Sequence, residues 1–311
     1  MTTASLRVEP GLPLIGNLLE FRRDRLGFQL RVADAGITRT RIANRTVYII
    51  TDADLAHEVL VTHEDAFIKG PGLAIVAKPL LGDGLLTAEK DAHRRARKLL
   101  APAFTPRRMA GYAAVMAERA ATHVARVRPG AMVDIAERMM STTLDIVGKT
   151  LFDADLTGDA RAIGDALTEA MEYVLATVLS PIPIGWPTPR RKHGLAAVAR
   201  LDEVVLRVIA ARRAAPGDRG DVLSILLEAK DDDGSGLSDR HLRDEIMTLM
   251  LAGHETTANL LAWVWYVLAT EPAARAGPTP RPWRPWPTTP GPATCASCAT
   301  WSSGRARSTS T

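Results

Sequence analysis

The sequence predicts a mainly α fold with a small β element near its N-terminus. From about residue 87 to residue 270, apolar residues recur with the helical period of about 3.6 or form solid apolar runs. Two β-branched runs flank a turn before residue 51. The 311 residues are 46% hydrophobic and 24% charged, a balance typical of a globular protein. A disordered chain, a collagen-like chain and a small disulfide scaffold are thereby excluded.

The first third of the chain predicts five elements, each bounded by Gly, Pro or a change of period. They are an extended lead-in, a helix, a hairpin that turns at Asn44-Arg45, a helical segment and a long Gly/Pro-rich loop. In order, they cover residues 10–16, 17–35, 37–51, 52–62 and 70–84. Because long loops in compact domains are more often functional than idle, the last of these is a candidate for ligand contact.

The remainder up to residue 270 is predicted to be almost entirely helical. The predicted helices cover residues 87–103, 107–126, 134–153, 159–178, 194–214, 220–230 and 238–270. A break between the fourth and the fifth is expected at residues 181–189, which are rich in proline.

The formal charge of +4 belongs to the C-terminal tail alone. Residues 1–275 hold 35 basic and 35 acidic residues and no cysteine, whereas residues 276–311 hold four arginines and no acid. A nucleic-acid partner is therefore not expected, and the absence of cysteine from the main part fits the cytoplasm. No secretory signal is recognised in residues 1–10.

The apolar run over residues 246–269 has His254 and Glu255 near its middle. A charge at that position costs a membrane-spanning helix about 2.5–3.5 kcal/mol, so we expect a buried helix of a cytoplasmic protein and no membrane association. Ser238 is the expected N-cap of this helix, and Asp239 suits the positive end of the helix dipole.

The centre of this helix breaks several local rules at once. Ala252 and Gly253 are small, and Glu255 and Thr256 are polar within an apolar run. Such breaks mark a functional site when they coincide. The small pair admits a large flat group, the Thr256 hydroxyl can bond the Ala252 carbonyl, and Glu255 can relay protons. The alternative is a helix–helix crossing at Ala252-Gly253, with Glu255 paired to an arginine.

Two motifs resemble the cytochrome P-450 family of haem-thiolate monooxygenases. Residues 252–257, Ala-Gly-His-Glu-Thr-Thr, resemble the signature of that family's long central helix. Residues 82–87, Gly-Asp-Gly-Leu-Leu-Thr, with His93 and Arg97 behind them, resemble its third helix, where such a pair holds a haem propionate. His93 and Arg97 are four residues apart and share one helix face. Their alternative is an exposed basic face. The resemblance covers roughly residues 8–275.

The resemblance implies a soluble, bacterial-type enzyme. Its members bind haem b and take two electrons from a ferredoxin- or flavoprotein-type donor. They split dioxygen and insert one oxygen atom into a small hydrophobic organic substrate. A monomer is expected, and the 70–84 loop and residues 178–187 are expected to border the substrate pocket.

The resemblance also assigns six residues. Two would deliver protons and four would contact the cofactor; none is assigned as a metal ligand. The proton-delivering residues are Glu255 and Thr256, and the cofactor-contacting residues are His93, Arg97, Ala252 and Gly253.

The family pattern fails after Trp265. Neither the family's Glu-x-x-Arg helix nor its Phe-x-x-Gly-x-Arg-x-Cys-x-Gly loop, which supplies the axial thiolate, follows it. Cys295 and Cys298 have the wrong surroundings for that ligand. We therefore expect a partial P-450 domain over residues 1–277 and a disordered, out-of-frame tail over residues 278–311. This predicts an inactive chain. The alternative is a catalytically dead helical fragment that binds a hydrophobic ligand or nothing.

Overall fold

The computed structural model describes residues 6–70, 72–156, 158–178, 186–230, 234 and 236–272. The fold is mainly α with a small N-terminal sheet, which confirms the predicted class. Strands β1, β2 and β3 are Leu6–Val8, Ile37–Ile42 and Arg45–Ile50. Helices α1 to α11 are, in order, Leu18–Arg23, Arg25–Val32, Ala53–His57, Lys78–Leu81, Lys90–Leu100, Pro106–Ala125, Ile135–Phe152, Ala160–Val178, Pro189–Ala214, Val222–Glu228 and Asp239–Thr270.

The predicted hairpin is confirmed and gains a third strand. β2 pairs antiparallel with β3, from Ile37 opposite Ile50 to Ile42 opposite Arg45. The turn lies at Ala43-Asn44, one residue earlier than predicted, and Ala43 takes a positive φ of 53°. β1 pairs parallel with β2 at the other edge. The sequence did not predict β1, because three residues carry no measurable alternation.

Two predicted elements of the first third differ from the structure. The helix expected over residues 17–35 is broken at Asp24, whose side chain caps α2 by accepting from the Gly27 amide at 2.9 Å. A local capping bond therefore overrides the apolar period. The expected 70–84 loop holds a π-helical turn, Gly72–Val76, and α4. Leu80 and Leu81 are buried there, so core packing orders a segment that its Gly and Pro content marks as irregular.

The long helices follow the predictions to within a few residues, except at the start of α9. This helix begins at Pro189 and not at residue 194, because the Thr188 hydroxyl caps it by accepting from the Arg191 amide at 3.1 Å. Proline suits the first helical position, where its missing N–H costs nothing. Most of the predicted break, residues 179–185, lies outside the described residues.

The apolar core is built mainly from α7 to α11. Its fully buried members include Leu144, Leu167, Leu201, Leu226 and Ile246. α11 contributes buried side chains from its N-terminal half as far as position 258. In the described part of the chain, no helix is long and apolar enough to cross a membrane.

The chain divides into two compact units, residues 1–262 and residues 263–311. The described part of the second unit begins with the last turns of α11, where the rings of Trp263 and Tyr266 meet edge to face at 5.5 Å. Residues 278–311, for which disorder and a shifted reading frame are predicted, lie outside the described residues. Both statements stay predictions.

Candidate active site

The centre of α11 presents two faces of opposite character. Ala252 and Thr256, one turn apart, are exposed, whereas His254 and Ala258 are buried. The Thr256 hydroxyl donates a hydrogen bond of 2.7 Å to the Ala252 carbonyl, as the sequence predicts. This bond fixes the rotamer of Thr256 and leaves the lone pairs of its oxygen free to accept from a further donor.

Glu255 lies between these two faces and is half-buried. Burial raises the pKa of its carboxyl group above the ordinary value. No cation lies within ion-pairing distance of Glu255 in the part of the chain that the structure describes, so the expected alternative of an arginine partner does not occur there. A carboxyl group with a raised pKa holds its proton nearer to neutral pH, which suits a group that takes up and releases protons.

Gly253 lies close to helix α7. A Cβ at this position would lie 3.0 Å from Cγ2 of Val147 in α7. The glycine therefore permits the close approach of α11 to α7, the helix crossing that the alternative interpretation names. Ala252 is the small residue on the exposed face.

Two acidic residues of α11, which sequence reasoning missed, bind the loop of residues 82–89 that connects α4 to α5. The Asp83 amide donates to Asp244 Oδ2 at 2.9 Å, and the Leu85 amide donates to Glu245 Oε2 at 3.1 Å. Burial raises the pKa of Glu245. Gly82 has a φ of +57° and approaches the Asp244 carboxylate so closely that a Cβ would lie 2.0 Å from it. The glycine-rich motif is thus the docking segment of this loop on α11.

His93 and Arg97 lie on α5, where His93 is half-buried and Arg97 is exposed. Burial lowers the pKa of His93, and the positive charges of Lys69 and Arg97 lower it further. His93 is therefore neutral at pH 7 and offers a ring N–H as a donor. Lys69 thus adds a second cation, beside Arg97, to the predicted pair.

Sequence reasoning also missed Lys69, because only the folded chain brings it near α5. Its amide donates to Glu89 Oε1 at 2.7 Å, and its ammonium group donates to the carbonyl groups of Ala88 and Leu85. Burial lowers the pKa of Lys69. These bonds hold the ammonium group beside the start of α5.

The residues present fit a haem group at two places. The cations Lys69 and Arg97, with the neutral ring of His93 as a further N–H donor, form a cluster suited to carboxylates such as the propionates. Ala252 and Thr256 give α11 a small, exposed surface. Among the described residues, no three His, Cys, Asp or Glu side chains lie close enough to hold a metal ion. Any thiolate ligand must come from outside residues 1–275, which contain no cysteine.

The chain belongs to the cytochrome P450 family. The model of the family described as Cytochrome P450 matches residues 6–276. The chain is similar to cyclooctatin synthase of Streptomyces melanosporofaciens, with 36% identity over 86% of this chain and 59% of that protein. It is 31% identical to cyclooctat-9-en-7-ol 5-monooxygenase of the same organism, over 85% of this chain and 58% of that protein.

A third relative is pentalenene oxygenase of Streptomyces avermitilis. It is 28% identical over 86% of this chain and 60% of its own length. The chain thus spans about three fifths of the length of these relatives.

Proposed function

We propose that the chain carries the proton-delivering and propionate-binding part of a haem-dependent monooxygenase that acts on an apolar carbocyclic substrate. The observation that carries this proposal is the pair on α11: a half-buried Glu255 with a raised pKa beside a Thr256 whose hydroxyl is held by the Ala252 carbonyl. A helix that serves only for packing gains nothing from a desolvated carboxyl group that has no ionic partner among the described residues.

The substrate class is supported by the names of two relatives. One acts on cyclooctat-9-en-7-ol and the other on pentalenene. Both names denote carbon rings with few polar groups. The exposed face of α11 offers Ala252 and Thr256, which are small enough to leave room for such a ring.

The proposed cofactor is haem b, held through its propionates by Lys69, His93 and Arg97. When bound, it would supply the activation of dioxygen with two electrons from a ferredoxin- or flavoprotein-type donor. Docking of this donor is proposed for the exposed basic residues Arg94, Arg95 and Lys98 of the same helix.

Two residues of the chain, Thr256 and Glu255, would position a water molecule and transfer a proton to it. The Thr256 hydroxyl donates to Ala252, so its oxygen can accept a hydrogen bond from a water molecule and hold it on the exposed face. Glu255 carries a proton at a higher pH than an ordinary carboxyl group does and would pass it to that water. Arg97 and Lys69 would meanwhile neutralise the propionates.

The chain as given is proposed not to form the thiolate-ligated enzyme. Residues 1–275 lack cysteine, and the sequence around Cys295 and Cys298 does not match the family's ligand loop. This observation favours a second candidate, a catalytically inactive helical fragment that binds a hydrophobic ligand or nothing. Nucleotide sequencing of the locus tests whether residues 278–311 come from a shifted reading frame. A continuation in another frame that encodes the family's cysteine loop supports the proposed enzyme. The absence of such a continuation supports the inactive fragment.

Haemin titration of the purified chain tests the cofactor site directly. The expected result is saturable binding that weakens at least several-fold in Arg97→Gln and in Lys69→Gln. Arg94→Gln is the matched control, because Arg94 is an exposed cation of the same helix with a side-chain ion pair to Asp91 at 3.5 Å. Equal affinities for all variants would contradict the proposed role of this cluster in haem binding.

Reduction under carbon monoxide should give no thiolate-type absorption band, and a full band would refute the proposed lack of the thiolate ligand.

A further inference from the structure

The buried face of α11 is joined to α7 by two hydrogen bonds that meet at one residue. His254 is fully buried, and its Nε2 lies 3.1 Å from the Met140 carbonyl oxygen. The Thr143 hydroxyl lies 3.2 Å from the His254 carbonyl oxygen, and within α7 it lies 2.9 Å and 3.3 Å from those of Met139 and Met140. Because carbonyl groups only accept, the ring proton sits on Nε2 and the Thr143 proton is shared between the two helices.

A histidine is energetically unfavourable at this core position. Its Nδ1 is buried and finds no partner among the described residues, and an unpartnered buried polar atom is unfavourable. Burial lowers the pKa of His254, so the ring is neutral. A leucine would fill the same space without an unpartnered nitrogen. What histidine adds is one directional bond to the backbone of α7.

A directional bond at this position controls how α11 is rotated about its own axis. Successive helical residues are turned by about 100°, so residues 254 and 256 project from nearly opposite sides of the helix. Gly253 lets the two helices approach, since an added Cβ there would lie 3.0 Å from Cγ2 of Val147. Once His254 is tied to α7, the directions of Glu255 and Thr256 are determined.

We propose that His254 and Thr143 are positioning residues, which lock the rotation of α11 so that Glu255 stays half-buried and Thr256 points to the open face. The functional meaning of this lock rests on the proposed roles of Glu255 and Thr256. The lock itself is a property of the chain without cofactor. It is therefore testable even if the chain binds no haem.

The test is a carboxyl-carbon NMR titration of Glu255 in the full chain, with the Glu255 signal assigned from Glu255→Gln. In His254→Leu and Thr143→Val we expect the midpoint of Glu255 to shift down toward the ordinary value of about 4.3, because the carboxyl group gains access to water. His254→Gln, whose amide can donate to Met140, and Thr143→Ser should keep the wild-type midpoint.

Thr142→Val is the matched control. Thr142 neighbours Thr143 and is also buried, but its hydroxyl donates at 2.8 Å to Arg138 within α7 itself. Its loss should leave the Glu255 midpoint unchanged, even if the variant is less stable.

An unchanged midpoint in both His254→Leu and Thr143→Val would overturn the proposal, as would an equal shift in Thr142→Val. If His254→Leu does not fold, Thr143→Val decides alone, since it is nearly isosteric and retains the His254 ring. Haemin affinity is measured separately, so a failure of the proposed cofactor site and a failure of the lock are distinguishable.

Discussion

Replacing Gly82 by alanine tests the docking of the loop on α11 most sharply. Gly82 has a φ of +57°, and an added Cβ would lie 2.0 Å from the Asp244 carboxylate. That carboxylate has little room to move: it is 3% exposed and is held at 2.9 Å by both the Arg243 guanidinium and the Asp83 amide. The substitution should therefore strain the backbone and displace a buried charge.

Both effects of Gly82→Ala have known magnitudes. A residue other than glycine at such a backbone conformation costs about 1–3 kcal/mol. Loss of a buried hydrogen bond to a charged group, here Asp83 to Asp244, costs about 1.5–3 kcal/mol. The free energy of unfolding should therefore fall by about 2.5–6 kcal/mol, a large part of the total stability of an ordinary domain.

Urea unfolding followed by circular dichroism measures this loss, and Gly111→Ala is its control. Gly111 is exposed in α6, and a Cβ there would meet no atom within 4 Å. The same substitution should therefore stabilise the chain by about 0.5–1 kcal/mol, because alanine is the better helix former. The same substitution, glycine to alanine, is therefore expected to lower the free energy of unfolding at residue 82 and to raise it at residue 111.

A decrease of less than about 1 kcal/mol in the free energy of unfolding of Gly82→Ala would refute this reasoning. It would mean that the loop does not contact Asp244 as described. A double substitution with Asp244→Ala adds a second criterion. Because the two residues are in contact, the combined loss should be smaller than the sum of the single losses.

Two further predictions concern the pair on α11. Because burial raises the Glu255 pKa, the folded state disfavours its charge at pH values above the ordinary carboxyl pKa. Glu255→Gln should therefore raise the free energy of unfolding at pH 7, and this gain should vanish below about pH 3, where the carboxyl group is protonated in both the folded and the unfolded state. An equal gain at both pH values, or a matching gain in the exposed Glu118→Gln, would count against the assigned cause. In a chain extended to the family length, Thr256→Ala should divert electrons from product formation to peroxide. The measurement is the amount of product formed per electron consumed. An unchanged ratio would favour the interpretation that this part of α11 serves only for helix packing.

The sequence by itself determined the fold class and the central motif. The helices α6 to α11 follow from apolar periodicity, which is a local property that each segment carries whatever it packs against. The polar interruption at Glu255 and Thr256 and the i, i+4 spacing of His93 and Arg97 are local too. The bond from Thr256 to Ala252 spans one helical turn and was therefore predictable.

Only the tertiary structure decided which partners these residues meet. Lys69 lies near His93, the loop at Asp83 docks on Asp244, and Gly253 lies close to Val147 of α7. Each of these contacts joins segments far apart in the chain, and neither segment alone carries a signal of the other. The helical period of a sequence indicates which residues share a face, but packing against a second helix determines which face is buried.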